Sequence, residues 1–138
     1  MFACSEIAEP QYLRHVETVA ADCAVINFSC RYAMLSADDH DDMAYVFLVP
    51  DEGYSQLSRL HDRLYTGVLS SYLRLDIPFI PHITIGTLKD RQEAKKLCDD
   101  LNEQPLSLHG SVNALTVGAL VEGRISDVQS FSLTLGTR

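Results

Sequence analysis

The chain has 138 residues, which at roughly 100–200 residues per domain corresponds to one domain, residues 1–138, with a single core. Apolar residues make up 46 % and charged residues 22 %, a balance that excludes a disordered, collagen-like or low-complexity chain. The net charge of −8 argues against a generic nucleic-acid coat protein, because backbone binding depends on neutralising phosphates with Lys and Arg. The charge is uneven: between Arg59 and Lys96 seven basic residues face four acidic ones. That asymmetry permits a local site for an anionic ligand, and it equally fits exposed lysines on a helix.

No apolar stretch reaches the ~18 residues of a membrane span; the richest, Met43 to Pro50 and Ile77 to Ile85, have strand lengths. The start, Met1 to Glu9, carries Glu6 and Glu9 and lacks the basic and apolar regions of a secretory signal, so a cytoplasmic location is expected. Cys4, Cys23, Cys30 and Cys98 form no Cys-x-x-Cys pair and no metal-ligand spacing, and are read as free thiols.

In chain order, Pro10 and the spacing of Leu13, Val16, Val19 and Ala20 predict a helix over about 9–22. Val25 to Leu35 and Met43 to Val49 are rich in Val, Ile, Phe and Tyr and predict an antiparallel pair joined through the polar segment Ser36–Asp42. After the Asp51-Glu52-Gly53 turn, Leu57, Leu60, His61, Leu64, Tyr65 and Val68 predict a second helix ending near Gly67 or shortly beyond. Phe79 to Thr87 reads as a strand entered through Pro78 and Pro81. Asp90 is an N-cap for a third helix, Arg91 to Asn102, with Ala94, Leu97, Cys98 and Leu101 on one face. Leu115, Val117, Ala119 and Val121 alternate, Glu122-Gly123 supplies a turn, and Phe131, Leu133 and Leu135 alternate again, which predicts a closing hairpin. Helices interspersed with antiparallel hairpins give an α+β class, and no Gly-rich phosphate loop is present.

The sharpest local feature is Pro81-His82-Ile83-Thr84-Ile85-Gly86. Strand alternation places His82 and Thr84 on one face, with Ile83 and Ile85 expected to point into the core. Imidazole is the side chain best suited to proton transfer near neutral pH, and a neighbouring hydroxyl donates to a phosphate oxygen. The residues alone leave open a plain strand with two solvent-facing polar side chains.

The string Phe79-Ile80-Pro81-His82-Ile83-Thr84-Ile85-Gly86 resembles the second His-x-Thr signature of the 2H phosphoesterases, the superfamily of 2′-5′ RNA ligases and cyclic nucleotide phosphodiesterases. The order of elements is similar too: a strand like Tyr45 to Pro50, the Glu52-Gly53 turn, the helix around Leu60 to Tyr65, the motif, a helix and a hairpin. The resemblance implies a LigT-like α+β fold of two lobes of antiparallel sheet flanked by helices, each lobe lending one His-x-Thr/Ser motif to a shared cleft. It implies hydrolysis, without metal or cofactor, of a 2′,3′-cyclic phosphate or 2′-5′ linkage in RNA or a nucleotide, with ligation as the reverse. One imidazole activates water, another protonates the leaving ribose oxygen, and the two hydroxyls hold phosphate oxygens. His82 would be one acid/base group and Thr84 one phosphate ligand.

The first motif of that family has no counterpart here. In family members it precedes the first helix on a strand, and Met1-Phe2-Ala3-Cys4 looks like the tail of such a strand, so the N-terminal strand is expected to be missing. His15 and Thr18 have the wrong spacing and lie on a predicted helix; His109-Gly110-Ser111 has the right spacing but follows the third helix, and is read as a structural strand segment. A start assigned too far downstream or a truncated gene, a single-motif relative that binds without turnover, and a dimer pooling two copies of His82 stay open, as does a monomer or weak homodimer. A plain interaction domain in which His82 is simply surface is the third functional class.

Lys89 and Arg91 follow the motif and are candidates to steer a phosphodiester, and Tyr45, with Phe47 and Phe79, to stack a base. Each has a structural alternative, as helix-start charges or core aromatics. Asp38-Asp39-His40-Asp41-Asp42 lacks the Gly and Glu of a calcium loop and is read as a solvated hairpin tip; His61 falls on an apolar stripe and is read as packed.

Overall fold

Helix α1 runs from Glu9 to Ala21 with Pro10 in its first turn, where the missing N–H costs nothing, and it buries Val16, Val19 and Ala20. The computed structural model describes residues 9–37 and 41–134. Met1 to Cys4, the Asp38–His40 part of the acidic tip and Leu135 lie outside the described residues. The following elements are β1 (Ile26–Ala37), β2 (Ala44–Glu52), α2 (Tyr54–Leu64), a 3-10 helix (Gly67–Tyr72), β3 (Ile83–Leu88), α3 (Arg91–Asn102), β4 (Leu108–Val112), β5 (Ala114–Val121) and β6 (Arg124–Ser132). The chain divides into two compact units. One sheet has four strands in the order β3-β2-β1-β4 and the other is the β5-β6 pair, which is the α+β organisation expected.

The unit of residues 1–26, 56–79 and 111–138 packs α1 on the β5-β6 hairpin. Val16 and Ala20 meet Phe131 and Leu133, and Val19 meets Ile26 and Leu60. The hairpin turns through Glu122 (φ 51°) and Gly123 (φ 76°), the paired positive values of a turn matched to strand twist. Helix α2 stops at Leu64, earlier than its apolar spacing implies. His15 Nε2 lies 2.9 Å from the Leu64 carbonyl and Thr66 Oγ1 donates to the Arg63 carbonyl at 2.7 Å, so two carbonyls orphaned at the helix end find partners. The tighter 3-10 turn beyond Gly67 shifts the phase of burial: Leu69 is fully buried, whereas Val68, expected on the apolar stripe, is exposed.

The unit of residues 27–55 and 80–110 holds the four-stranded sheet with α3 on one face. Alternation along β2 is strict: Ala44, Val46, Leu48 and Pro50 are buried, Tyr45, Phe47 and Val49 half-buried. Ala44, Val46 and Leu48 pack with Cys30 and Ala33 from β1 and with Ala94 and Cys98 from α3. Asp90 caps α3, accepting from the backbone N–H of Gln92 at 2.8 Å and Glu93 at 3.3 Å, a contact worth roughly 1 kcal/mol. At the other end of α3, Asn102 forms an amide clamp on β1: Ala33 N–H donates to its Oδ1, and its Nδ2 donates to the Ala33 carbonyl, both at 2.8 Å.

Two glycines sit at close approaches. A Cβ on Gly53 (φ +87°) would stand 2.6 Å from the Asn27 carbonyl oxygen, and one on Gly110 would stand 2.6 Å from Phe28 Cζ.

Candidate active site

Residues Phe79 to His82 are not strand: β3 begins at Ile83, later than the expected Phe79, because prolines at 78 and 81 bring no N–H to a ladder. The expectation that Ile83 and Ile85 point into the core also fails. They are 39 % and 43 % exposed. Strand β3 is at the sheet edge, and its pairing slips at Ile85: Gly86 faces Val46 and Thr84 faces Phe47, so one extra residue of β3, Ile85, lies between partners that are adjacent in β2. The covered part of β3 lies at Gly86 and Leu88, where the next contacts are Leu97 of α3 and the core cluster.

This register assigns the faces. Val46 and Leu48 turn toward α3, so Phe47 belongs to the opposite, open face, and its cross-strand partner Thr84 shares that face. His82, two residues before Thr84, stacks its ring on Phe47 with centroids 3.8 Å apart and planes 21° from parallel. Its Nδ1 lies 2.6 Å from the Ile80 carbonyl oxygen. A carbonyl only accepts, so Nδ1 carries the proton and Nε2 presents its lone pair to solvent. Neutral His82 is therefore built to take a proton at Nε2, and once protonated to return it from the same atom. Thr84 is exposed beside it with a hydroxyl able to donate to an anionic oxygen.

Tyr45 continues the open face. Its ring centroid is 6.1 Å from that of Phe47, and its hydroxyl donates to Asp41 Oδ2 at 2.5 Å. Lys89 lies just beyond the far end of β3 and Arg91 in the first turn of α3, both exposed. The fold gathers His82, Thr84 and Tyr45 around Phe47.

Among the described residues the other histidines are engaged. His109, exposed on β4, has Nδ1 2.8 Å from Ser29 Oγ and Nε2 2.9 Å from Ser107 Oγ, and Ser29 donates to Glu52 Oε2 at 2.8 Å. Ser29 has one proton, given to Glu52, so His109 Nδ1–H donates to Ser29 and Nε2 accepts from Ser107. Both ring nitrogens are occupied, as suits the structural strand residue expected. Nothing in the sequence signals this chain of bonds, whose members lie up to 80 positions apart. His61 stacks on Phe79 at 4.1 Å with planes 6° apart and also contacts Tyr65, a packed histidine as expected. His15 and Thr18 are bonded to main-chain carbonyls of Leu64 and Arg14. Burial raises the Cys30 and Cys98 thiols above the ordinary cysteine range, with Asp51 and Asp99 respectively adding to the effect. Among the described residues no group of three or more His, Cys, Asp or Glu side chains is placed to hold a metal ion, and no helix is long and apolar enough to cross a membrane.

With this geometry in view, one comparison decides the family: the family model described as the 2′-5′ RNA ligase superfamily matches residues 1–136. The chain belongs to the 2′-5′ RNA ligase superfamily. The match agrees with the resemblance carried by Phe79 to Gly86, and the α+β fold with its antiparallel sheets and flanking helices is the LigT-like fold of the 2H phosphoesterases. No curated protein matches the chain.

Proposed function

We propose that this superfamily member hydrolyses a 2′,3′-cyclic phosphate or a 2′-5′ phosphodiester of RNA or a nucleotide without a metal ion, using His82 as a general acid/base and Thr84 as a phosphate ligand. The observation that carries the reading is the tautomer of His82: the bond from Nδ1 to the Ile80 carbonyl leaves Nε2 as the only ring nitrogen able to exchange a proton. In hydrolysis of a cyclic phosphate, Nε2 takes a proton from the attacking water as its oxygen bonds to phosphorus, the departing ribose oxygen drawing its proton from solvent as the P–O bond breaks, or Nε2 gives that proton and solvent takes the one from water. Thr84 Oγ–H donates to a non-bridging oxygen as negative charge gathers there. Tyr45 offers a ring edge to a base, and Lys89 and Arg91 supply positive charge that acts on the approach of a longer anion rather than on the reacting phosphate. The protein acts in the cytoplasm as a monomer or weak homodimer.

A second reading is a nucleotide- or RNA-end-binding protein that does not turn over. It is favoured by a specific observation: on the sheet that carries His82, the other histidine, His109, has both ring nitrogens engaged. Binding of a 3′-nucleotide, followed by calorimetry in EDTA, and cleavage of a 2′,3′-cyclic nucleotide and a 2′-5′ dinucleotide separate the readings. Cleavage supports the enzyme; phosphate-competitive binding with no cleavage supports the binding protein; neither process leaves an interaction domain.

A further inference from the structure

We propose that Phe47 is a positioning residue for His82, fixing the plane of the imidazole so that Nε2 keeps one direction toward the reacting phosphate; the proposal rests on the reading of His82 as the acid/base group. His82 lies just outside β3, follows a proline and is exposed, so neither the ladder nor burial fixes its ring. An exposed side chain in that position exchanges rotamers within picoseconds to nanoseconds. Two contacts restrain it. The bond from Nδ1 to the Ile80 carbonyl at 2.6 Å sets the direction of the ring within its plane, and the Phe47 face at 3.8 Å and 21° sets the plane itself.

Phe47 is placed for this by register. It pairs directly with Thr84, so the diagonal neighbour on that face is His82, within reach of an aromatic ring. The slip at Ile85 keeps that pairing in place while Gly86 opposes Val46. Phe47 takes no part in the buried cluster of Val46, Leu48, Cys30 and Ala33, and its other aromatic neighbour is Tyr45, tethered through its hydroxyl to Asp41. The ring thus lies on the open face, under the imidazole of His82.

Phe47→Leu keeps an apolar side chain and removes the flat face; Phe47→Tyr keeps the face. Cleavage of a 2′,3′-cyclic nucleotide in EDTA is measured for both, with His82→Ala alongside, and 15N-histidine spectra report the tautomer. The expected result is a fall in kcat of about tenfold in Phe47→Leu, with KM within about twofold, since a displacement of ~1 Å costs up to 10²-fold. Phe47→Tyr restores kcat, and His82 in Phe47→Leu shifts from the Nδ1–H form toward a mixture of tautomers. Unchanged kcat in Phe47→Leu beside a crippled His82→Ala overturns the proposal, as does a rise in KM alone or failure of Phe47→Tyr to rescue. Identical His82 spectra in wild type and Phe47→Leu overturn it whatever the turnover. Full turnover in His82→Ala is the distinct outcome that removes the reading of His82 itself.

Discussion

Arg31 and Asp51, the two residues pushed out of the β1–β2 ladder where its register slips twice, bind each other: Arg31 Nε donates to Asp51 Oδ2 at 2.7 Å. Ser29 opposes Glu52, Cys30 opposes Pro50 and Tyr32 opposes Val49, so each strand extrudes one residue, and the extruded charges have opposite signs. The hydrogen bond from Arg31 holds the Asp51 carboxyl below the usual aspartate range. A carboxyl whose folded value is depressed stabilises the fold at neutral pH, and that contribution disappears as pH falls through its folded value. The acid limb of a melting-temperature profile should therefore be shallower in Asp51→Asn than in wild type, with the curves converging at the lowest pH. Parallel curves would show that the pair is screened out by solvent.

Asn102 completes the backbone of β1 at Ala33, where the amide clamp serves both the N–H and the carbonyl. Removing it leaves two main-chain groups of a buried residue without partners. Asn102→Ala should lose about 1–3 kcal/mol in urea unfolding, and Asn102→Asp, which keeps the acceptor and loses the donor, should fall between it and wild type.

Ser29 is buried between Glu52 and His109. Ser29→Ala removes both hydrogen bonds of a buried hydroxyl, so its destabilisation, about 1–3 kcal/mol, should exceed that of Ser107→Ala, whose hydroxyl is exposed. Denaturant titration of the two variants decides the order. Activity should survive both, because His109 carries no proton for the proposed reaction.

Much of the fold was legible from local signals. The period of three and four in Leu13, Val16 and Ala20, the Asp90 cap and the strict alternation of β2 each place an element through chemistry that acts within a few residues. The hairpin turn at Glu122-Gly123 was legible for the same reason. What escaped depends on partners far along the chain. The strand segment around His109-Gly110-Ser111 was legible, but its place beside β1, where Gly110 meets the Phe28 ring, was not. The exposure of Ile83 and Ile85 follows from an edge position and a register slip, which alternation within one strand does not reveal. At the candidate site the motif itself was readable, yet the stacking of His82 on Phe47 required the pairing of β3 with β2.

The most direct test is the rate at which the purified chain opens a 2′,3′-cyclic nucleotide in EDTA, beside His82→Ala and Thr84→Ala. Turnover should survive EDTA, fall by roughly 10²–10⁴-fold in His82→Ala, and fall by a smaller factor in Thr84→Ala. A well-folded wild type that binds a 3′-nucleotide but opens no cyclic phosphate, or turnover untouched by His82→Ala, would contradict the proposed function.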